Sequence, residues 1–308
     1  MTLTDGLIVK ISHCVDEVKK VLSDRSKEQE MPITSLPNLS KKIWGIQRKR
    51  LYVIGARTGI GKSAFAIQCA YDVAKQGKKV LFLSLESTVS EIIERIFCNR
   101  YSIDNFSLTC GHFEDYHSQW EEFTKELTSL KFLISDSIGS TMPEIQSILQ
   151  RMTEKPDLLV IDYIQMIKGI TKQKNEDIAE FVKELRLMAV RNNMAIWLVS
   201  QVNREGDGEM PTLAQLKGSG VLEEHPDVVF LLHATTEETG SIKNYYFYVA
   251  KNRNGLTGKV KMQYFGKHYQ FKDAPVVVVP SPQESKIAKV FSGSVLKKDW
   301  TSTEEEND

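Results

Sequence analysis

Residues 53–63 read VIGARTGIGKS, a glycine-bearing loop between the apolar run Leu51–Ile54 and the helix-like segment Ala64–Lys75. A strand, a loop and a helix in this order are the context of a phosphate-binding loop. Backbone N–H groups at the start of such a helix attract an anion, and the helix dipole adds partial positive charge. The sequence therefore predicts a nucleotide site in which Lys62 reaches the β- and γ-phosphates and Ser63 binds Mg²⁺.

One position departs from the general pattern G-x-x-x-x-G-K-[ST], because Ala56 stands where the first glycine is expected. Gly55 and Gly59 lie close by, so the loop can still close. The alternative is a glycine-rich turn that carries Gly-Lys-Ser by chance, and it does not account for the partner residues described below. The predicted nucleotide-binding residues are the loop, the residue after it and one later carboxylate: Ala56, Arg57, Thr58, Gly59, Ile60, Gly61, Lys62, Ser63, Ala64 and Asp162.

The bulk composition is that of an ordinary water-soluble globular protein. The 308 residues are 41% hydrophobic and 26% charged, and the formal net charge is zero, so any polyanion site must be a local patch. The four cysteines show no C-x-x-C spacing, which favours reduced thiols over a metal site or disulfides. The sequence shows neither an apolar run of transmembrane length nor a signal peptide. We expect a cytoplasmic protein, in the host cytoplasm if a phage encodes it, with no membrane partner.

The order of apolar runs and amphipathic segments predicts an α/β fold. Buried strands are expected at Lys79–Leu85, Phe132–Ile134, Leu158–Tyr163, Ala195–Ser200 and Val228–Leu232, and helices at Glu91–Arg100, Met142–Met152 and Asn175–Asn192. Lys243–Val249 and Lys259–Tyr264 alternate like antiparallel strands. Residues 31–40 look irregular, with Pro32 and Pro37 as breakers. We expect a mostly parallel sheet flanked by helices, with antiparallel strands at one edge.

Three polar residues end predicted strands and are candidates for catalysis. Asp162 follows four apolar residues and is placed to hold Mg²⁺, although it could simply cap the strand. Glu86 ends the strand after the loop helix, where it could deprotonate the attacking water or serve a helix dipole. Gln201 could hydrogen-bond a γ-phosphate and report hydrolysis to another site, or it could be a solvated loop residue.

The segment Lys251-Asn252-Arg253-Asn254-Gly255 lies between the last two strand candidates, and Asn-Gly is a hairpin signal. One interpretation is a basic, exposed hairpin. The other is an arginine finger presented to the ATP of a neighbouring subunit, where it would stabilise transition-state charge.

Taken together, these motifs resemble one family. ARTGIGKS, LFLSLE, LLVIDYIQ, WLVSQVNRE, SGVLEEHPDVVFLL and AKNRNGLTG, in this order, are similar to the C-terminal ATPase domain of DnaB-type replicative helicases. The resemblance runs from about Met31 to Phe271. A loop that opens with Ala-Arg instead of Gly, and the Lys-x-Arg-x-Gly turn, are both habits of that family, so Ala56 supports the resemblance.

The resemblance implies a RecA-like P-loop fold and a ring, usually hexameric, that encircles single-stranded DNA and moves 5′ to 3′ by hydrolysing ATP with Mg²⁺. It implies that Lys62 and Ser63 bind phosphate and Mg²⁺, that Asp162 is the Walker B acid and that Glu86 is the catalytic base. It further implies that Gln201 couples hydrolysis to the DNA loops, and that Lys251 and Arg253 reach into the site of the next subunit.

The resemblance also places two DNA-contacting loops, at residues 168–174 and 204–220. Their candidate phosphate contacts are Lys168, Lys172, Lys174, Arg204 and Lys217. Such contacts are electrostatic and independent of base sequence. Ordinary solvated loops are the alternative. The chain also departs from the usual family sequence at residues 217–220 and 223–227. These departures bear on whether the second loop contacts DNA in the way the family does.

The expected organisation is a linker helix in residues 1–30, the ATPase domain in 31–273 and a partly disordered tail in 274–308. The family's N-terminal collar domain is expected to be absent, and residues 6–23 form an amphipathic pattern that suits the linker helix. Two rivals to a helicase stay open. One is a RecA-like regulator or loader of a replication complex without unwinding activity, and the other is a nucleotide-bound scaffold that recruits other replication proteins.

Overall fold

The computed structural model describes residues 15–16, 18–19, 23, 30–136, 141–162, 164, 175–202, 210–216, 219–239 and 242–275. Of the helix predicted at 6–23, the described residues 15, 16, 18, 19 and 23 are helical. By its contacts the chain divides into residues 1–274 and 275–308, and the second unit lies almost entirely outside the described residues. In the described part of the chain, no helix is both long enough and apolar enough to cross a membrane.

The described strands form a nine-stranded sheet in the order β3-β2-β4-β5-β1-β6-β7-β8-β9. Strands β3 to β6 in this order pair in parallel, and β7, β8 and β9 are added antiparallel at one edge. This confirms the predicted fold class. The strands are β1 (Leu51–Ala56), β2 (Val80–Ser84), β3 (Phe132–Ser135), β4 (Leu158–Asp162), β5 (Ala195–Gln201), β6 (Val228–Thr239), β7 (Ile242–Asn252), β8 (Gly258–Phe265) and β9 (Gln270–Asp273).

Helices cover both faces of the sheet. They are α1 (Pro37–Ile43), α2 (Lys62–Lys75), α3 (Val89–Tyr101), α4 (Asn105–Thr109), α5 (His117–Ser129), α6 (Met142–Arg151), α7 (Asn175–Arg191) and α8 (Ser219–Glu224), with 3₁₀ turns at His112–Tyr116, Leu213–Gln215 and Gly266–His268. The helices and strands predicted from Leu51 onward are confirmed to within a few residues, except that β6 extends seven residues beyond the predicted end at Leu232 and that Tyr163, the predicted end of β4, lies outside the described residues.

The core consists of two apolar layers, one on each face of the sheet, because successive strand residues point to opposite faces. One layer is rich in aromatic side chains. Trp197 of β5 packs edge-on against Phe65 of α2, with ring centroids 6.0 Å apart, and Phe65 stacks on Phe247 of β7 at 4.8 Å. The other layer is aliphatic and lies under α6 and α7. The helix that carries the phosphate loop is therefore anchored to the centre of the sheet.

The prediction that residues 31–40 are irregular was wrong, because α1 begins at Pro37. Proline is favoured in the first turn of a helix, where its missing N–H is not needed. Tertiary contacts hold this segment, since Ser35 N–H donates to Asp72 Oδ2 at 2.8 Å and Ile33 N–H donates to Ser40 Oγ at 2.9 Å. Helices α4, α5 and α8 and strand β9 are additional elements that the sequence did not predict.

Candidate nucleotide-binding site

The phosphate loop connects the buried end of β1 at Ala56 to the start of α2 at Lys62. Gly59 and Gly61 have φ angles of +78° and +89°, a region that disfavours any residue with a Cβ. Space is also tight at Gly61, because a Cβ there would lie 3.2 Å from Tyr264 Cζ. No side chain caps the first turn of α2, and no acidic residue lies in that turn. Its N–H groups and dipole are therefore available to a phosphate.

Lys62 is a buried cation at the N-terminus of this helix. Only 8% of the residue is exposed, and its Nζ lies 3.4 Å from the carbonyl oxygen of Arg57. Burial lowers the pKa of Lys62, and the carboxylates of Asp162 and Glu86 act in the opposite direction. A phosphate would supply the strong acceptors that this ammonium group otherwise lacks.

Asp162 ends β4 opposite the loop and is 1% exposed. Burial raises the pKa of Asp162, while a hydrogen bond from Ser63 acts to lower it. Its Oδ1 has no hydrogen-bond partner among the described residues. A buried carboxylate oxygen without a donor, beside a serine hydroxyl at the start of the phosphate helix, fits the oxygen ligands that Mg²⁺ prefers. Ser63 and Asp162 are therefore the residues that would hold the ion.

Glu86 follows β2 on a short turn that is tied to the end of β4. Leu85 N–H donates to the carbonyl oxygen of Asp162 at 2.7 Å, which fixes the two strand ends together. Ser87 N–H donates to Ser84 Oγ at 3.0 Å, and the Ser84 hydroxyl donates to Ser87 O at 2.5 Å. These bonds close the turn and leave Glu86 exposed at its apex, facing the cleft.

Gln201 ends β5 and pairs with Ala56 across the parallel ladder, so its side chain lies beside the phosphate loop. Together these residues line a cleft of about 420 Å³ at the carboxyl ends of the parallel strands. The structure thus brings Lys62, Ser63, Glu86 and Gln201 together in one cleft, with Asp162 hydrogen-bonded to Ser63 at its base. Ligand sites of open α/β sheets lie at this edge.

Sequence reasoning missed several residues of the cleft, namely Ser87, Glu91, Arg95, Tyr264 and Tyr269. Glu91 and Arg95 are one helical turn apart on α3, which follows Glu86 directly, and this spacing was a signal that could have been used. Arg95 lies over the Tyr269 ring, 5.6 Å from its centroid. Tyr264 stacks on Phe271 at 4.3 Å. The two tyrosines come from the end of β8 and the turn that follows it, and nothing in the local sequence connects them to the loop.

Lys251 and Arg253 do not join this cleft. Asp227, which hydrogen-bonds Arg253 N–H through its carbonyl oxygen, also pairs with Leu51 at the first residue of β1. The phosphate loop leaves the other end of the same six-residue strand, about 20 Å away. The basic turn therefore lies at the opposite end of the sheet from its own chain's nucleotide cleft.

The five candidate DNA contacts, Lys168, Lys172, Lys174, Arg204 and Lys217, lie outside the described residues. The described chain nevertheless enters and leaves the second of these segments next to the cleft. Val202 N–H donates to Ala56 O at 3.1 Å and Val202 pairs with Leu216 in an isolated bridge. Val202, which precedes that segment, and Leu216, which lies within it, are thus held against the strand that carries the phosphate loop.

The fold and the cleft define a class of protein, an open α/β sheet with a phosphate-binding loop between β1 and α2. The chain belongs, more specifically, to the family described as DnaB-like helicase C terminal domain, which it matches over residues 33–273. The match covers well over half of the 308 residues.

Curated relatives agree with this assignment. The replicative DNA helicase DnaC of Bacillus subtilis is 27% identical over 253 residues, which are 77% of this chain and 55% of that protein. A probable plasmid replicative DNA helicase of Chlamydia psittaci is 34% identical over 224 residues, 68% of this chain and 48% of that protein. The chain thus spans about half the length of the curated relatives it matches.

Solved structures show the same fold. One of them, an isolated ATPase domain, superposes with a TM-score of 0.75 at 20% identity, covering 87% of this chain and 100% of that one. A DnaB-like replicative helicase, solved for its interactions with primase, superposes with a TM-score of 0.73 at 21% identity and covers 88% of this chain and 68% of that one.

Proposed function

We propose that this protein is an ATP-dependent DNA helicase or translocase that forms a ring, with a hexamer as the expected number of subunits. It moves 5′ to 3′ on single-stranded DNA during replication, in the cytoplasm, with residues 31–273 as its motor domain. One observation carries the proposal. The cleft contains the P-loop lysine and two strand-end polar groups, Glu86 and Gln201, and Asp162 is hydrogen-bonded to the cleft residue Ser63, whereas the arginine expected to complete the site lies at the far end of the sheet.

The geometry of the cleft supports a division of roles among these residues. The N–H groups of α2 and the ammonium of Lys62 would hold the phosphates, and Ser63 and Asp162 would hold Mg²⁺, which would supply charge neutralisation at the transferred phosphoryl group. Glu86 stands exposed across the cleft and takes the proton of the attacking water. Gln201 contacts the γ-phosphate. When hydrolysis removes that phosphate, the change in this contact is transmitted to the segment that begins at Val202.

The DNA and partner assignments rest on the family. Lys168, Lys172, Lys174, Arg204 and Lys217 are proposed to grip the phosphate backbone inside the ring. The relatives named as replicative helicases support a role for this chain on DNA during replication. The structural neighbour studied with primase supports the proposal that this chain binds other replication proteins. These properties are part of the proposal for this chain.

The direct test is unwinding of forked DNA substrates with either a 5′ or a 3′ loading strand, measured together with ATP hydrolysis. We expect hydrolysis stimulated by single-stranded DNA and strand displacement from the 5′ tail only. Lys62→Ala should abolish both, whereas Lys75→Ala, at the other end of the same helix, should leave both intact. DNA-stimulated hydrolysis without strand displacement would support the regulator or loader instead. Absence of ATP and DNA binding would reject the proposal.

Sharing of the site between subunits can be tested by mixing two inactive variants. Lys62→Ala has no working cleft but keeps its basic turn, and Arg253→Ala has the reverse defect. In a mixed ring, the turn of the first completes the cleft of the second, so hydrolysis should return. Mixtures that stay as inactive as either variant alone, although mass photometry shows mixed rings, would exclude a site completed in trans.

A further inference from the structure

A buried aspartate lies next to the basic turn. Asp227 is held between β1, α7 and the turn after β7, with only 7% of its side chain exposed. Its Oδ2 accepts the Leu51 N–H at 2.9 Å and forms an ion pair with Arg186 Nε at 2.7 Å. Its Oδ1 faces the other way, 3.9 Å from Arg253 Nη1. The two oxygens thus have different neighbours.

Backbone carbonyl groups accept hydrogen bonds from the two cationic side chains of the turn, Lys251 and Arg253. Lys251 Nζ donates to the carbonyl oxygens of Glu223 and Glu224 at 2.6 and 2.8 Å, and Arg253 Nη2 donates to Glu224 O at 2.8 Å. These carbonyls belong to the last turn of α8, where a helix leaves acceptors unpaired and where its dipole is negative. The backbone of the turn is fixed too, since Arg253 N–H donates to Asp227 O at 2.9 Å.

Arg253 is held on one side only. Its side chain remains 45% exposed, and a guanidinium group has five N–H donors in a rigid planar arrangement. The hydrogen bond to Glu224 O uses a donor of Nη2, and the Asp227 carboxylate forms an ion pair with Nη1 at 3.9 Å, beyond hydrogen-bond distance. A flexible side chain of this length would otherwise lose considerable entropy on finding one orientation.

We propose that Asp227, through its Oδ1, is a positioning residue that orients Arg253 toward the nucleotide of the next subunit. Asp227 touches no substrate and acts only through the arginine, with the α8 carbonyls fixing Lys251 alongside. This inference rests on the proposed function, because it requires that Arg253 completes a site in trans. Asp227 would therefore affect ATP hydrolysis in the cleft of the neighbouring subunit and not in the cleft of its own chain.

Asp227→Asn separates the two roles of the carboxylate. An amide can keep its oxygen on the Leu51 N–H and then places its NH₂ group toward Arg253, where two donors face each other. We expect kcat to fall by about tenfold or more, because small misplacements of a catalytic group are costly, with KM and ATP affinity unchanged. Arg186→Gln is the matched control. It removes the ion pair on Oδ2, so it should lower the Tm and leave kcat within about twofold of wild type.

A double-mutant cycle then tests the route of action. Arg253→Ala alone should lower kcat by about a thousandfold. Adding Asp227→Asn to it should change kcat by less than about twofold, because the arginine through which Asp227 acts is gone. In mixed rings, Lys62→Ala subunits should restore hydrolysis to Arg253→Ala subunits, and Lys62→Ala subunits that also carry Asp227→Asn should do so about tenfold less well.

The outcomes that overturn the inference are distinct from those that overturn the function. The positioning role is rejected if kcat in Asp227→Asn is unchanged or raised, or if the two substitutions lower kcat independently in the double variant. In either case, an inactive Arg253→Ala would still support a site completed in trans. A wild-type kcat in Arg253→Ala rejects the trans site itself, and the positioning role with it.

Discussion

Replacing Asp162 by asparagine should make the nucleotide-free protein more stable while disabling it. Asp162 is a buried carboxylate whose Oδ1 has no partner among the described residues, and burial raises its pKa. A neutral amide is less costly to bury at this position than an ionised carboxylate, whose desolvation cost is larger. Attraction to Lys62 offsets part of this cost, so we expect Asp162→Asn to gain about 1 kcal/mol in the free energy of unfolding. For a domain of this size the gain corresponds to a Tm increase of roughly 2–4 °C.

The pH dependence of stability is a second test of whether Asp162→Asn stabilises the nucleotide-free protein. The folded-state pKa of Asp162 is above its ordinary value of 3.8, so the folded protein binds this proton before the unfolded chain does. Wild type therefore regains the lost stability as pH falls through the raised pKa toward 3.8. The Tm advantage of Asp162→Asn should be largest near neutral pH and should vanish in acid.

Thermal unfolding with and without nucleotide completes the assay. Saturating ATP analogue with Mg²⁺ should stabilise wild type by about 2.7 kcal/mol at a hundred times Kd, whereas the variant should gain much less. Asp157→Asn, at the other end of β4, is the matched control of opposite sign. Although burial acts to raise its pKa, hydrogen bonds from Arg48 and from Lys79 N–H lower the pKa of Asp157, so this variant should be less stable. A free-protein Tm for Asp162→Asn at or below wild type would refute the reasoning.

Two further predictions concern stability. A Cβ on Gly55 would lie 2.3 Å from Leu216 Cδ2, so Gly55→Ala should cost about 1–3 kcal/mol in urea unfolding, whereas Gly220→Ala in α8, where a Cβ meets nothing within 4 Å, should be neutral or stabilising. Equal midpoints for the two variants would contradict the packing at Gly55. Thr141 caps α6 by accepting Glu144 N–H at 3.3 Å, so Thr141→Ala should cost about 1 kcal/mol and speed amide exchange in the first turn of α6, and Thr141→Ser should not.

The sequence predicted those parts of the site that depend on strand ends. Glu86, Asp162 and Gln201 each follow an apolar run, and in a parallel sheet the carboxyl ends of such strands share one edge. Their convergence with Lys62 therefore required only the strand order. Topology of this kind is encoded in local pattern and in the right-handed crossover rule.

Other parts of the site depend on contacts between distant segments, which no local pattern reveals. Tyr264 reaches Gly61 only because β8 and β9 extend the sheet beyond β6 and β7. The position of Arg253, at the far end of the sheet from its own cleft, follows from the pairing of Val228 with Asn252. Helix α1 was missed because Pro37 was taken as a breaker although it begins the helix, and because the hydrogen bond from Ser35 to the distant Asp72 leaves no local signal.

The aromatic layer under α2 also provides an optical signal. Of the four tryptophans, Trp197 is fully buried, Trp44 is 46% exposed, Trp120 is partly exposed on α5 and Trp300 lies outside the described residues. Trp197 is in contact with Phe65, three residues after Lys62 in the helix that would receive the phosphates. In a variant that keeps only Trp197, blue-shifted emission from this indole reports the environment of the nucleotide helix directly. Loading of the cleft can then be followed in real time without attaching a dye.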